Sequence, residues 1–491
     1  MILRRLGRTG WRWVDGRLRA AEITRTTLAK VFPDHWTFML GEIALYSFVT
    51  LVATGVFLTF FFVPSSAETV YGGSYAPLHG SYVSAAYASA VELSFDVRGG
   101  LLFRQVHHWS ALIFLGAIAA HACRIFFTGA FRKPREINWL VGVTLLLTSL
   151  ANGFVGYSLL DDLLSGTGLR IGYSIALSVP VVGSWAAFLL FGGEFPGNLI
   201  ISRLYGLHVL LLPALIATLI AVHMAILIRQ KHTHFPGPGR RDSNVVGSKM
   251  WPTYAFRSLA LLSGVLAVTF GLGALAQINP VWIWGPFKPA NATTPGQPDF
   301  YMGWVEGMIR LFPAAEFRVF GYLVPSTFLP AVALPLLMVL VMYAWPWLDR
   351  LVTGDRGRHH VDARVRDRPG RTAVGVWAVA QTGLLLFAAS DDLIARWLKA
   401  PVEDVIAVLR IVVLAGPPVI AAVAYVLARA LRAHPESRLT TLEPRQVGAA
   451  LGLSRVRPPR RRVRESVVGG RPDVPSEDAP QVVDAGGRHA G

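Results

Sequence analysis

Cysteine is almost absent from this sequence of 491 residues. The single Cys123 excludes an intrachain disulfide, a cysteine-ligated iron–sulfur cluster and the C-x-x-C-H motif that attaches haem covalently. We expect Cys123 to be a small residue packed between helices. Any redox chemistry in this chain therefore depends on a non-covalent cofactor with other ligands.

Charged residues are also scarce, and long apolar runs take their place. Only 16% of the residues are charged, whereas 53% are hydrophobic, more than in an ordinary soluble domain. Runs of about 20 apolar residues are long enough to cross a bilayer. The first run begins too late and is too long for a cleaved signal peptide. The sequence predicts an all-α polytopic membrane protein with eight transmembrane helices at about 38–62, 103–127, 138–159, 202–228, 257–277, 318–345, 373–390 and 404–430.

The basic residues follow the loops between these runs. Lys and Arg, 47 in number against 30 Asp and Glu, cluster in the N-terminal arm, in every second loop and in the C-terminal tail. The positive-inside rule therefore places both termini in the cytoplasm, in a multi-pass protein of the cell membrane. Because the arginines follow the loops rather than one helix face, the net charge of +17 does not indicate nucleic-acid binding.

These patterns divide the chain into five segments. A basic cytoplasmic arm precedes a four-helix bundle, a cytoplasmic loop leads to a second four-helix bundle, and a Pro/Gly-rich tail follows whose composition predicts disorder. Residues 170–201 are interrupted by Gly and Pro, and we expect them to lie along the membrane surface rather than form a ninth span. The predicted segments are 1–37, 38–230, 231–256, 257–432 and 433–491.

Two of the predicted spans carry histidines, which are costly in a membrane and therefore indicate function. His107 and His121 are 14 residues apart, within about 40° of one helix face and about 21 Å apart along the axis. His208 and His223 are 15 residues apart, about 60° off one face. A single such histidine is commonly a helix–helix hydrogen bond, but two matched pairs predict two stacked b-type haems with bis-histidine ligation. His108 lies on the wrong face, about 140° from His121.

Glycines and arginines accompany the histidines. Gly41 and Gly55 in the first span are 14 residues apart, and so are Gly142 and Gly156 in the third. Small residues also serve helix packing alone, but the shared spacing favours flat space for two haems. The ends of the second span carry two arginines that are expected to pair with haem propionates, with interfacial anchoring as the alternative. They are Arg104 and Arg124.

With these residues the chain resembles the cytochrome b subunits of quinol-oxidising cytochrome bc complexes, over about residues 30–430. The resemblance rests on R-x-x-H at Arg104–His107, H-x-x-R at His121–Arg124, the four glycines and the second histidine pair. The stretch INPVWIWGPFKPANATTPGQPDFYMGW, 278–304, resembles the actinobacterial members, whose complexes feed a cytochrome c oxidase. The resemblance implies an outer haem held by His107 and His208 and an inner haem held by His121 and His223.

The resemblance also implies a quinol-oxidising site on the outer side. The family's Pro-Glu-Trp-Tyr motif is matched by Pro298, Asp299, Phe300 and Tyr301. Asp299 is the implied proton acceptor, since quinol releases two protons with its two electrons, although its side chain is shorter than that of the family's glutamate. Without the resemblance, Pro-Asp is commonly a turn. The family's Leu-Pro-Trp beside this site is replaced by residues 159–161, Leu-Leu-Asp.

The family's inner, quinone-reducing site is matched less well. Ile228 stands where the mitochondrial proteins have a histidine, and Ser258 stands where they have an aspartate. His232 or His234 could take the place of that histidine, or both could be solvated loop residues.

The function implied is that of a quinol–cytochrome c reductase subunit. Menaquinol, on the actinobacterial resemblance, gives one electron to a Rieske iron–sulfur protein and then a c-type cytochrome, and the other to both haems. The implied partners are these two subunits, a cytochrome c oxidase in a supercomplex, membrane lipid and a second copy of the chain. Two alternatives remain open: a di-haem membrane anchor of a periplasmic dehydrogenase, and a transporter with structural histidines.

Overall fold

The computed structural model describes Trp13, residues 15–195, 197–290 and 296–435, and Gln446. Within this part of the chain eight helices are long and apolar enough to cross a membrane, which confirms the predicted all-α fold. The prediction of a disordered tail lies almost wholly outside the described residues. The eight spans are Trp36–Thr59, Gly100–Thr128, Glu136–Tyr157, Ile200–Gln230, Met250–Leu275, Leu329–Thr353, Pro369–Ala388 and Val402–Ala433.

Three of the spans contain a π-helical turn, which takes about one residue more than an α-helical turn. The turns are Leu207–Leu211 in the fourth span, Met250–Tyr254 in the fifth and Leu329–Ala333 in the sixth. The turn in the fifth span is irregular, because Trp251 has an extended backbone conformation. The first of the three turns contains His208. It absorbs one residue of the 15-residue spacing to His223, so the two histidines are aligned as they would be 14 residues apart in an uninterrupted α-helix.

The sixth span begins at Leu329, and the predicted start near residue 318 is wrong. Part of the apolar run forms a β-hairpin instead, in which Phe317–Val319 pairs antiparallel with Tyr322–Val324. Phe320 and Gly321 at the turn have positive φ. Aromatic and β-branched residues favour strands, and hydropathy alone does not separate such a hairpin from the start of a membrane helix.

Short helices and two-stranded sheets fill the loops. Leu163–Leu177 and Gly183–Phe191 are two separate helices between the third and fourth spans. Phe300–Leu311 is a helix that the sequence pattern does not predict, and Asp299 immediately precedes it. The remaining helical segments are Ala20–Leu28, Ala76–Leu78, Ala85–Phe95, Val281–Trp284, Val365–Asp367 and Asp391–Leu398, and the remaining strand pairs are Val31–Phe32 with Ser248–Lys249 and Glu68–Val70 with Tyr82–Ser84.

The loops lie on two sides of the helices, and loops on the same side are joined to each other by hydrogen bonds. On one side, the Arg135 guanidinium donates to the His359 carbonyl and so joins the loops before the third and seventh spans. On the other side, the Ser66 hydroxyl donates to the Asn198 carbonyl and joins the loops after the first and third spans. The spans therefore cross in alternate directions. We call the side of Arg135 the inner side, which is the predicted cytoplasmic side, and the opposite one the outer side.

The first four spans surround the histidines, and the fifth packs against the first two. The Trp109 indole donates to the Ala276 carbonyl at the end of the fifth span, and the Trp139 indole joins the third span to the sixth at the Met342 carbonyl. The seventh and eighth spans share a buried cluster with helix Phe300–Leu311. In the most apolar windows of the fourth and sixth spans only 6% of the residues are buried, so these helices offer apolar surface to lipid or to another subunit.

Candidate functional site

His107 and His208 face each other across the core near its outer side. Their ring centroids are 6.1 Å apart and the ring planes differ by 76°. Two imidazole nitrogens that each lie about 2.0 Å from a shared metal place the ring centroids about 6.3 Å apart. Nδ1 of His107 lies 2.9 Å from Thr54 Oγ1, and Nδ1 of His208 lies 3.1 Å from the Asn152 carbonyl oxygen. Hydrogen bonds at Nδ1 orient both rings and leave Nε2 for a metal.

His121 and His223 form the same arrangement near the inner side. Their ring centroids are 6.5 Å apart and the ring planes differ by 75°. Both Nδ1 atoms are buried without a well-formed hydrogen bond. In the described part of the chain no group of three or more His, Cys, Asp or Glu side chains could hold a bare metal ion. The paired histidines therefore suit a metal that brings its remaining ligands with it, as haem iron does.

Each of the four glycines faces a histidine at the same depth in the bundle. A Cβ atom built on Gly156 would lie 2.2 Å from Cε1 of the facing imidazole, which is a severe overlap. The other three would approach a ring without that overlap. The distances to Cε1 are 3.3 Å for Gly41 and His121, 3.3 Å for Gly55 and His107, and 3.7 Å for Gly142 and His223. The shared spacing in the sequence thus corresponds to shared positions in the core.

Arg104 lies beside the outer pair with hydrogen-bonding groups left over. One guanidinium nitrogen donates to the Asn279 carbonyl at 3.0 Å. Nε, the other guanidinium nitrogen and both polar atoms of the Asn279 side chain are buried without a partner. Such groups are costly unless a ligand satisfies them, and an anionic propionate suits a guanidinium. The sequence pattern does not predict Asn279, whose positive φ of 46° marks a constrained position.

Arg124 has a protein partner on the inner side. It donates to Asp362 at 2.6 Å, with both side chains almost fully buried, and its guanidinium lies 4.0 Å from the centre of the Phe38 ring. Burial raises the pKa of Asp362, while the guanidinium favours the ionised carboxylate. Nε of Arg124 is buried without a partner. The two arginines that look alike in the sequence therefore have different surroundings.

A cavity of about 330 Å³ includes the space around the outer histidine pair and extends to Arg104, Asp299 and Tyr301, which also line it. Asp299 Oδ2 lies 2.8 Å from Nε2 of His108, which also lines the cavity. Burial and the neighbouring Asp299 carboxylate raise the pKa of Tyr301 well above its usual value, so Tyr301 is a neutral phenol that can donate a hydrogen bond. Pro298 is half-buried and lies two residues before helix Phe300–Leu311.

His108 is a residue of this cavity to which the sequence pattern assigns no role. It follows a ligand candidate directly, and the helical arithmetic only says that it lies on another face. Its partner is 191 positions away in the chain, so the contact depends on the packing of helix Phe300–Leu311 against the second span.

The residues considered for an inner quinone site have clearly different surroundings. Ile228 is 51% exposed at the surface of the fourth span. His234 is buried in a loop, where Nδ1 accepts from the Val246 amide and Nε2 donates to the Arg241 carbonyl, so it stabilises that loop.

His232 lies closer to the core, with its ring centroid 4.9 Å from that of Phe32. Burial, together with the positive charges of Arg124 and Arg135, lowers the pKa of His232 to about 4. His232 is therefore neutral near pH 7. Ser258 contacts Glu42, a residue that the sequence pattern does not single out.

Known proteins resemble this chain in sequence. The family described as cytochrome b (N-terminal)/b6/petB matches residues 112–286. The chain is 50% identical over 383 residues to the cytochrome bc1 complex cytochrome b subunit of Mycobacterium tuberculosis, across 78% of this chain and 70% of that protein. It is 47% identical over 408 residues to the corresponding subunit of Streptomyces coelicolor, across 83% of this chain and 75% of that protein.

A solved chain of a hyperthermophilic respiratory Complex III has a similar fold. The TM-score is 0.62 at 19% sequence identity, and the match covers 84% of this chain and 99% of that one. These relatives confirm the predicted resemblance, including its actinobacterial character. The chain belongs to the cytochrome b subunits of the cytochrome bc1 complexes.

Proposed function

We propose that this chain oxidises quinol in the outer cavity, passes an electron between two b-type haems and reduces quinone on the inner side. The observation that carries the proposal is the presence of two histidine pairs at two depths, with ring centroids 6.1 and 6.5 Å apart. The cavity at the outer pair also contains a carboxylate, that of Asp299. Haem bound by these histidine pairs would supply one-electron carriers at two depths of the membrane.

The protein's own groups would handle the protons. Asp299 offers a carboxylate in a cavity whose remaining walls are largely apolar, and a quinol hydroxyl within hydrogen-bond reach would lose its proton to it. His108 fixes the orientation of that carboxylate through its Nε2 contact. Tyr301 presents a phenol that can orient the quinol oxygen. On the outer haem, Arg104 and Asn279 would bind a propionate with their unpartnered atoms.

The relatives are named as subunits of a cytochrome bc1 complex, and we extend that assembly to this chain. A single cysteine leaves no cysteine-ligated cluster and no covalent haem in the chain. The electron that leaves from the outer side therefore needs a Rieske protein and a c-type cytochrome as separate subunits. The relatives support this function and do not support a dehydrogenase anchor.

The test is quinol–cytochrome c turnover per haem in membranes that contain Asp299→Asn. This change keeps the shape and removes the base, so turnover should fall by about 10²–10⁴-fold while the spectra of both haems remain. Asp299→Glu should retain much of the activity. Asp404→Asn, a change at an exposed acid near the start of the eighth span, is the matched control. Wild-type turnover in Asp299→Asn would refute the proton-acceptor role.

A further inference from the structure

A carboxylate on the first span is bonded to hydroxyl groups inside the membrane, and the chemistry described so far does not use it. Glu42 accepts hydrogen bonds from Tyr254 at one carboxylate oxygen and from Ser258 at the other. The Tyr46 hydroxyl is hydrogen-bonded to Ser258 in turn. These four residues, which we call the Glu42 cluster, form a continuous chain of oxygen atoms between the first and fifth spans.

The Glu42 cluster lies at the depth of the inner histidine pair. Gly41, the neighbour of Glu42, is the residue whose Cβ would lie 3.3 Å from Cε1 of His121. The first and fifth spans both enter from the inner side, and each contributes two members four residues apart, which is about 6 Å along a helix. Glu42 and Tyr254 therefore lie nearer the inner surface, and the other two members lie about one turn deeper.

The partners of Glu42 suit proton transfer better than they suit charge pairing. A carboxylate in a membrane span is costly and is normally paired or functional. In the described part of the chain Glu42 forms no ion pair, and the nearby Arg257 pairs with Asp34 instead. Hydroxyl groups both donate and accept hydrogen bonds. They can therefore hold Glu42 with or without its proton and connect it to the residues one turn deeper.

We infer that Glu42 supplies the protons for quinone reduction on the inner side, an inference that rests on the proposed function. Reducing a quinone to quinol consumes two electrons, which the proposed function delivers through the inner site, and two protons. Each proton leaves the Glu42 carboxyl, passes directly or through Ser258 and Tyr46, and forms an O–H bond on a quinone oxygen. Tyr254, on the side of the inner surface, returns a proton to Glu42 from water after each transfer.

The experiment follows the anaerobic oxidation of chemically reduced b haems by menadione, in membranes that contain the whole complex, with rates expressed per haem. Glu42→Gln should slow this oxidation by about 10²-fold, the lower end of a general-acid effect. Reduction of the haems by quinol from the outer side should be unchanged. Glu68→Gln, at an exposed glutamate of the outer side, should match wild type in both reactions.

A rescue variant separates proton supply from packing. Adding Ser258→Asp to Glu42→Gln returns a carboxylate to the Glu42 cluster from the fifth span, and it should recover at least part of the lost rate. A double variant that keeps both haems but recovers none of the rate would overturn the inference, as would a wild-type rate in Glu42→Gln. If menadione fails to oxidise the haems of the wild type, the proposed inner quinone reduction itself fails.

Discussion

At the outer end of the haem core a cavity of about 330 Å³ includes the space around the histidine pair, and Asp299 and Tyr301 also line it. At the inner end the corresponding arginine is held by Asp362, and Arg135 bonds to the His359 carbonyl of the same loop. The two histidine pairs nevertheless have ring-centroid distances within 0.4 Å of each other, 6.1 against 6.5 Å. The two histidine pairs therefore have similar geometry in different surroundings.

The surroundings of the two arginines differ in whether they leave room for a ligand. A guanidinium with two unpartnered nitrogens beside a cavity suits ligands that bind from outside the protein, whereas at the inner end the corresponding guanidinium is paired with a carboxylate of the protein itself. Breaking such a buried pair leaves an uncompensated charge, which is strongly destabilising. We therefore expect changes at Arg104 to affect ligand binding, and changes at Arg124 or Asp362 to affect assembly.

The largest expected effect separates the two ends completely. His121→Ala or His223→Ala should remove the inner haem and leave the outer one, because each ring is proposed to be one of two histidine ligands at that depth. His107→Ala and His208→Ala should do the reverse. Reduced-minus-oxidised spectra and haem counts per chain measure the effect. Equal loss of both haems from any one variant would contradict the pairing.

The glycines allow a graded version of the same comparison. Gly156→Ala places a Cβ 2.2 Å from the facing imidazole carbon, whereas Gly142→Ala places one at an ordinary contact distance of 3.7 Å. Overpacking costs about 1–3 kcal/mol, so Gly156→Ala should weaken retention of the outer haem by about 5- to 150-fold.

Gly142→Ala is the matched control for that change, and it should retain both haems on dilution or mild heating. The measurement is the rate of haem loss to an acceptor protein, resolved by spectrum. Faster loss of the inner haem than of the outer one in Gly156→Ala would show that the glycine levels are assigned wrongly.

Much of this arrangement follows from local sequence arithmetic. The eight spans depend on hydropathy, and the matched depths of Gly41, Gly55 and the histidines depend on the α-helical repeat, so both can be predicted from one sequence. The same arithmetic leaves the pair formed by His208 and His223 about 60° off one face. A π turn corrects this offset, and a spacing pattern cannot reveal such a turn.

The remaining features depend on packing between distant segments. The contact between His108 and Asp299, and that between Arg124 and Asp362, join residues 191 and 238 positions apart. In the sequence Glu42 is an isolated acid near the start of a span. Its hydrogen-bond partners Tyr254 and Ser258 belong to the fifth span. Neither the composition nor the periodicity of a single sequence predicts contacts between residues so far apart in the chain.

A smaller effect is expected at His108, on the outer side only. His108→Ala removes the hydrogen bond to Asp299, in a contact whose two side chains are 16% and 17% exposed. Losing a bond of about 1.5 kcal/mol to a charged group corresponds to about a tenfold loss of quinol turnover. His108→Gln keeps a donor and should lose less. Both variants should keep two haems per chain, and loss of one haem would mean that His108 is a ligand.

The smallest effect expected is that of Tyr301→Phe. A phenol that orients the quinol contributes one hydrogen bond, worth about 0.5–1.5 kcal/mol, so turnover should fall by about 2- to 13-fold. Because the pKa of Tyr301 is raised above its usual value, the hydroxyl stays protonated and the wild-type to Tyr301→Phe ratio should be constant from about pH 6 to pH 9. Tyr322→Phe, in the exposed outer hairpin, should have no effect. A ratio that changes steadily with pH in this range would show that the phenol itself exchanges the proton, and the distinction between an acceptor at Asp299 and an orienting group at Tyr301 would have to be abandoned.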